Sequence, residues 1–432
     1  MAEVYITGHR NPDLDSVCSA YAYGVLKNQL DPGNTYIPIR CGHLSGSTKK
    51  ILKALNIIAP PYKGDVFPKV SDVMLQSDSK VDITEPLTSL AKNYDDANPS
   101  VIPVYDKGEF AGLVSVDDIT AWFMKELSDH EKVNSVPLIK DVMREQEAPI
   151  QSEDLFEEAK ISLSTSKKRG LSVFEGDRFV GFVTRRCFLK APKYNVILVD
   201  HNEPKQSVKG IESANIIEII DHHRLDSVKT TLPIFIDAEP LGSTCTIVCE
   251  LFKRNGLVPD KETAKVLLVG ICADTLVLKS PTTTATDIRV AGELADICGV
   301  DVKTFGHDMF SYMESLSNVD PEKAILSDFK RYSEKGSNIG IGQCEATTLH
   351  DIDTYKDKFL QALEDVRDKN GLDWAVVMIT DVMSEHSILL STQNRAAKYL
   401  PYTVLEEGVM DMPGVLSRKK QLLPEIIFAL GM

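Results

Sequence analysis

The chain has 432 residues, 43% apolar and 26% charged, enough to bury two or three cores, and no apolar stretch approaches the ~20 residues of a membrane span. Its net charge of −15 and pI near 5.1 argue against a nucleic-acid backbone or an anionic membrane as partner; an anionic substrate would need a metal or locally placed cations. The N-terminus shows no basic region followed by an apolar core, and the eight cysteines form no CxxC pair, so a cytoplasmic protein with reduced thiols is expected.

The first expected element is a strand rising through Val4, Tyr5 and Ile6 to Thr7. Gly8 turns the chain, and His9, Asp13 and Asp15 follow, with Pro12 fixing φ between them. Asp15 and Ser16 are the expected caps of a helix running to about Asn28, with Val17, Ala20, Tyr21 and Gly24 on one face. A strand at Thr35 to Ile39 contains Pro38, which cannot donate to a ladder and so predicts a sheet edge. His43 reads as surface, and a short helix from Ser47 ends before Pro60 and Pro61.

From about Val66 the pattern changes. Val70-Ser71-Asp72-Val73-Met74 and Ile139-Lys140-Asp141-Val142-Met143 begin two copies of a unit of roughly 70 residues. Each continues with a helical stretch, a strand pair and a closing helix. The strand pairs are Val101 to Tyr105 with Phe110 to Ser115, and Leu171 to Phe174 with Phe179 to Thr184. Pro192 closes this insert.

The α/β pattern resumes with an apolar run, Val196 to Val199, that ends in Asp200-His201-Asn202. A strand at Ala214 to Ile220, apolar enough for burial on both faces, ends in Asp221-His222-His223. A helix capped by Ser243 or Thr244 carries Cys245 and Cys249 on one face, and a further apolar run reaches Asp274. Asp287 to Cys298 is an amphipathic helix; His307, between Phe305 and Met313, reads as packing or surface. Ser315 to Asp320 reads as a linker. Beyond it, Phe329 to Tyr332 reads as a helix end, Ile339 to Gln343 as a strand and Tyr355 to Arg367 as a helix. Two strands follow, Trp374 to Thr380 and Ser387 to Ser391, with His386 exposed in the turn between them. A basic loop at Gly414 to Gln421 precedes the last element, Leu422 to Leu430. The expected class is α/β with a parallel sheet, in parts 1–65, 66–192, 193–314 and 319–432.

Starting a helix is the ordinary use of Asp13 and Asp15. Recurrence changes the weighing: four apolar segments deliver His or Asp toward one edge, and packing alone does not account for that. A His and Asp donor set suits a hard or borderline cation.

Gly8-His9-Arg10-Asn11-Pro12-Asp13-Leu14-Asp15-Ser16, Asp200-His201-Asn202, Asp221-His222-His223 and Ser417-Arg418-Lys419-Lys420-Gln421 together resemble a family II inorganic pyrophosphatase of the DHH phosphoesterases. The resemblance spans essentially the whole chain. It implies a DHH catalytic domain, a C-terminal DHH-associated domain and two Mn²⁺ or Co²⁺ ions, with Mg²⁺ arriving on pyrophosphate. By the same resemblance His9, Asp13, Asp200 and Asp274 hold one ion, and Asp15, Asp200, His222 and Asp274 the other, with Asp200 and Asp274 bridging. His223, Arg418 and Lys419 are then the catalytic and substrate-binding groups, and Asn338 stands where relatives place a substrate lysine. His201 is expected to support its loop rather than bind metal.

The insert resembles a pair of CBS domains, which bind adenine nucleotides such as AMP, ADP or ATP between their halves. Gly112, Ser115 and Asp118 fit the family's ribose-contacting spacing; Gly181 and Thr184 fit it too, but Cys187 replaces the Asp, so one good site is expected. The basic run Lys167-Lys168-Arg169 reads equally as a phosphate contact and as a solvated loop. A homodimer is the oligomeric expectation, with no nucleic-acid or membrane partner. The alternatives are another DHH phosphoesterase, an exopolyphosphatase or nucleotide phosphodiesterase, which the Ser417 to Gln421 motif disfavours, and a non-catalytic nucleotide sensor, which the filled ligand positions disfavour.

Overall fold

Strand β1 (Glu3–Thr7) leads through a short loop into helix α1 (Leu14–Leu30), which returns the chain to strand β2 (Thr35–Ile39), followed by helix α2 (Gly46–Ala54). The computed structural model describes residues 3–78, 81–93, 101–128, 136–226, 228–312, 316–346, 349, 351–381, 384 and 386–432. Met313, which ends the stretch from Phe305, and Ser315, which opens the expected linker, lie outside them. Contacts divide the chain into one unit of residues 1–66 and 195–432 and a second of residues 67–194.

The second unit holds two three-stranded sheets of the same design. One is β3 (Val81–Asp82), β4 (Val101–Asp106) and β5 (Glu109–Ser115), with helices α3 (Val116–Ser128) and α4 (Ile139–Val142). The other is β6 (Ile150–Gln151), β7 (Gly170–Glu175) and β8 (Arg178–Thr184), with helix α5 (Phe156–Thr165). In each, a parallel pair is followed by an antiparallel hairpin. The opening segments are exchanged between the copies. Val70 packs with Val173 and Val183 of the second sheet, and Ile139 with Val104 and Val114 of the first. The second copy closes with a 3₁₀ turn, Arg185–Phe188, where a helix was expected.

The first unit resumes with β9 (Asn195–Val199), β10 (Asn215–Asp221) and β11 (Phe235–Ala238). With β1 and β2 they form a five-stranded, all-parallel sheet in the order β11-β10-β9-β1-β2, so the Pro38 strand is indeed an edge. Helices α6 (Thr244–Arg254), α7 (Lys261–Asp274), α8 (Ala285–Cys298) and α9 (Val302–Ser311) share one apolar core with α1 and this sheet. The apolar run reaching Asp274 is therefore a helix buried nearly all round, unlike the strands that deliver the other site residues.

Helix α10 (Pro321–Ser327) opens the C-terminal part. Its mixed sheet runs β12-β13-β14-β15-β17-β16, from β12 (Phe329–Glu334), β13 (Ser337–Ala346), β14 (Trp374–Asp381), β15 (His386–Ser391), β16 (Thr403–Glu406) and β17 (Val409–Pro413). Helix α11 (Lys356–Lys369) packs on one face and α12 (Leu423–Leu430) on the other. Two expectations change here. Phe329 to Tyr332 is a strand hairpinned to β13, and His386 begins β15, where it pairs with Asp411 across the sheet.

Candidate active site

The site grows from the carboxyl ends of β1, β9 and β10, where a parallel sheet leaves its loops. Gly8 is required at the first: a Cβ there would lie 1.9 Å from Ser16 Oγ. Asp13, rather than the expected Asp15 or Ser16, caps α1, its Oδ1 accepting from Ser16 N at 2.9 Å. Asp15 has other partners. Its buried carboxylate accepts from Ser243 Oγ at 2.6 Å, Thr244 N at 2.7 Å and Cys245 N at 3.0 Å, the amino end of α6. Asp200 follows β9 with φ +59°, a left-handed conformation that aspartate tolerates better than most residues. Thr244 Oγ1 donates to its Oδ1 at 3.0 Å. His222 donates from Nδ1 to Leu241 O at 3.0 Å, and His223 from Nδ1 to Asp221 Oδ1 at 2.8 Å.

These elements bring together two groups of donor atoms, each group within 4.8 Å, His9, Asp13 and Asp200, and Asp15, Asp200, His222 and Asp274, with a third, Asp200, His222 and His223, overlapping the second. Asp200 belongs to all three. Asp274 joins the second. His9 Nε2 lies 3.2 Å from Asp13 and 3.3 Å from Asp200; His222 Nε2 lies 3.4 Å from both Asp200 and Asp274. His201 belongs to none of these groups; it is buried and donates from Nδ1 to Val199 O.

The electrostatics call for cations. Burial and neighbouring Asp200 push the Asp15 carboxyl up to about 6, and burial with Asp15 and Asp13 holds Asp274 well above the carboxylate range. Burial alone would lower His222, yet Asp200, Asp274 and Asp15 raise it to about 10, so a proton supplies the missing positive charge. His222 Nε2 is buried with no hydrogen-bond partner, a ligand atom aimed into a carboxylate cluster. The residues fit a pair of divalent ions, and mixed imidazole and carboxylate donors suit Mn²⁺ or Co²⁺ better than Mg²⁺.

Cations come from the C-terminal part. The expected basic loop is a π-helical turn, Arg418–Leu422, held where Leu416 N and Ser417 N donate to Gln421 Oε1. Burial lowers the Lys419 ammonium, and the charges of Asp274 and Asp328 oppose that shift. Arg418 is buried and ion-paired to Asp328 at 2.9 Å. Asn338 lies elsewhere, at the hairpin end of β12 and β13. There its Oδ1 accepts from Ser333 Oγ at 2.8 Å and its N–H donates to Asp373. Lys330, near the start of β12, donates to Gln206 Oε1 at 3.0 Å and acts on the charges of Asp328 and Lys419. Reading Phe329 to Tyr332 as a helix end hid it, because β12 alternates only weakly in burial.

In the second unit Ser115 N and Oγ each donate to Asp118 Oδ2 at 2.7 Å, and Arg144 Nε to Asp118 Oδ1 at 2.5 Å. A cleft there is lined by Leu113, Asp118, Gln146, Lys168 and Arg169. Gln146 presents its amide to the Leu113 main chain, and Arg169 pairs with Asp117 at 2.7 Å. At the equivalent place in the other copy, Leu75 forms two main-chain hydrogen bonds with Phe182, and Cys187 Sγ accepts from Thr184 N. Gly181 lies against Leu75 O, 2.5 Å from where a Cβ would stand, so main chain occupies the position that a side-chain amide occupies in the first copy.

The DHH family N-terminal domain model matches residues 3–271, and the DHHA2 domain model residues 307–427. A Clostridium perfringens (strain 13 / Type A) protein named cobalt-dependent inorganic pyrophosphatase is 28% identical over 539 aligned positions, covering 98% of this chain and 97% of that protein. A Bacillus cereus (strain ATCC 10987 / NRS 248) protein named probable manganese-dependent inorganic pyrophosphatase is 37% identical over 252 residues, 58% of this chain and 80% of that one. Among solved structures, a Methanococcus jannaschii protein described as a proposed family II inorganic pyrophosphatase superposes with a TM-score of 0.59. It is 24% identical and covers 99% of this chain and 100% of that one.

Proposed function

Because the chain belongs to the DHH family, within its family II inorganic pyrophosphatase branch, we propose that it hydrolyses inorganic pyrophosphate to two phosphates and depends on Mn²⁺ or Co²⁺. The observation that carries this reading is Asp200, shared by two His and Asp groups beside the cations Arg418, Lys419 and Lys330. When bound, a pair of divalent ions supplies water activated at neutral pH and charge neutralisation for a polyanion. His9, Asp13 and Asp200 would hold one ion, and Asp15, Asp200, His222 and Asp274 the other; Mg²⁺ would enter with the substrate.

The chain's own residues do the remaining work. Leu241 O fixes the His222 tautomer, leaving Nε2 as the ligand atom. Asp221 fixes Nδ1–H of His223 in the same way, so its Nε2 is the nitrogen that meets substrate. Burial and the neighbouring His222 lower the His223 imidazole, which favours the neutral ring that takes up a proton only when an anionic oxygen is presented. Lys419 and Lys330 bind the phosphoryl oxygens, Arg418 orients one of them as a planar fork, and the departing phosphate leaves toward this cationic side. Sites for metals on one part and for the anion on the other make closure between them part of turnover.

The insert carries the regulatory half of the proposal. AMP or ADP enters the cleft holding Asp118, as in a CBS pair, while the occupied position beside Leu75 supports one site rather than two. A homodimer is also proposed, to be read from its mass in solution. Among the described residues no helix is long and apolar enough to cross a membrane.

Metal-free protein reloaded with Mn²⁺, Co²⁺ or Mg²⁺ is expected to release phosphate from pyrophosphate with the first two. Asp200→Ala should lower that rate by about a thousandfold or more, because both donor groups lose a member. Full turnover by a folded Asp200→Ala protein contradicts the assignment.

A further inference from the structure

Arg418 is fastened at one end. Its Nη1 donates to Asp328 O at 2.6 Å and pairs with Asp328 Oδ1 at 2.9 Å, while its main-chain N–H donates to Gln343 Oε1 at 3.3 Å. The side chain is 5% exposed, and Nε, also buried, has no hydrogen-bond partner. An orphaned guanidinium nitrogen inside a folded protein is costly unless something completes it. Asp328 itself ends α10, immediately before β12, and its own carbonyl is tied to β13 by Gln343 N at 3.0 Å.

We propose that Asp328 is a positioning residue for pyrophosphate hydrolysis: it grips one terminal nitrogen of Arg418 so that the guanidinium is already oriented when a phosphoryl oxygen of the substrate arrives. This deepens the pyrophosphatase reading and rests on it.

The argument is one of charge against geometry. A carboxylate beside a substrate arginine offsets part of the attraction for an anion, so its placement needs a compensating gain. A free arginine side chain gives up rotamer freedom when it is fixed, and a fork already gripped at one end gives it up before substrate arrives. The local balance of charge permits this. Arg418, Lys330 and Lys419 together hold the Asp328 carboxyl below the usual range, so it stays an anion while two lysines remain in excess. Glu345, the next carboxyl in this neighbourhood, is pushed up to about 7 by burial and by Asp328 and Asp13, and so cancels less cationic charge.

The test is a double-mutant cycle on Mn²⁺-loaded full-length protein with Mg²⁺-pyrophosphate. Asp328→Ala should lower kcat/KM about tenfold or more, as a misplaced binding group does, and Asp328→Asn, which keeps an acceptor of the same size, by about fivefold. In an Arg418→Ala background neither change should cost anything further. Asp328→Asn carries the test should Asp328→Ala fail to fold. A loss below about threefold for the folded variants overturns the proposal, and so do losses that multiply with that of Arg418→Ala; both would make Asp328 a local brace of the α10–β12 junction. If the unmutated protein does not turn over pyrophosphate, the underlying reading fails instead.

Discussion

Asp200 shows how much one residue concentrates. Its carboxylate belongs to both donor groups, and its backbone sits at φ +59°, where a β-branched side chain would be strained. Ligand chemistry and backbone geometry thus restrict the position to the same residue type. Glu345 carries a different signature. Its carboxyl is raised from 4.5 to about 7, by burial first and then by Asp328 and Asp13. A folded-state value above the unfolded one favours the protonated form. The associated stability is therefore full below about pH 4.5 and is lost as pH rises through about 7. Glu345→Gln should stabilise the metal-free protein at pH 8 by something on the order of 2 kcal/mol, seen as a raised thermal midpoint, and leave that midpoint nearly unchanged at pH 4. An equal shift at both pH values would show that Glu345 titrates normally.

Among elements, the amino end of α6 does the most for the site. It holds Asp15 through Ser243, Thr244 and Cys245, and reaches Asp200 through Thr244 Oγ1. Ser243→Ala removes one of these restraints without touching a ligand atom. Mn²⁺ affinity, measured by calorimetry, should fall about 10- to 100-fold; unchanged affinity would mean the main-chain N–H groups suffice.

The limits of the sequence are also clearest among elements. His9, Asp13, Asp200 and His222 were legible because each follows a short apolar run and a turn, a local pattern. The run before Asp274 looked the same, yet α7 is buried on nearly every side, and a buried helix has no polar face to reveal its period. Lys330 was missed for a related reason, since β12 alternates only weakly in burial. Asp328 acts through Arg418, ninety residues away, and no local pattern records such a pairing.

At the scale of the whole molecule, every residue of the two donor groups lies outside residues 67–194, while the cleft at Asp118 lies within them. Binding at one and chemistry at the other are linked only by a coupling free energy, commonly about 1–3 kcal/mol. AMP should therefore change kcat or KM of the Mn²⁺-loaded protein by roughly 5- to 150-fold at saturation. Asp118→Ala should abolish that response while leaving turnover without nucleotide intact, as followed by phosphate release and AMP calorimetry. An unaltered AMP response in the variant would move the nucleotide site elsewhere.

The pairing of β1 with β9 has a consequence for how the chain comes together. Val4 sits opposite Asn195, so the catalytic sheet cannot form until the two ends of a very long excursion meet. Closing roughly 190 residues of flexible chain costs about 4–5 kcal/mol in entropy. Within the insert, however, Tyr194 Oη donates to the Asp72 carboxylate at 2.8 Å, which ties its exit to its entrance. Once the insert has folded, the loop left to close is about a third as long, and the cost falls by about 1 kcal/mol. The insert is thereby also an internal clamp: its early folding would shorten the search by which the strand leading to His9 finds the strand leading to Asp200.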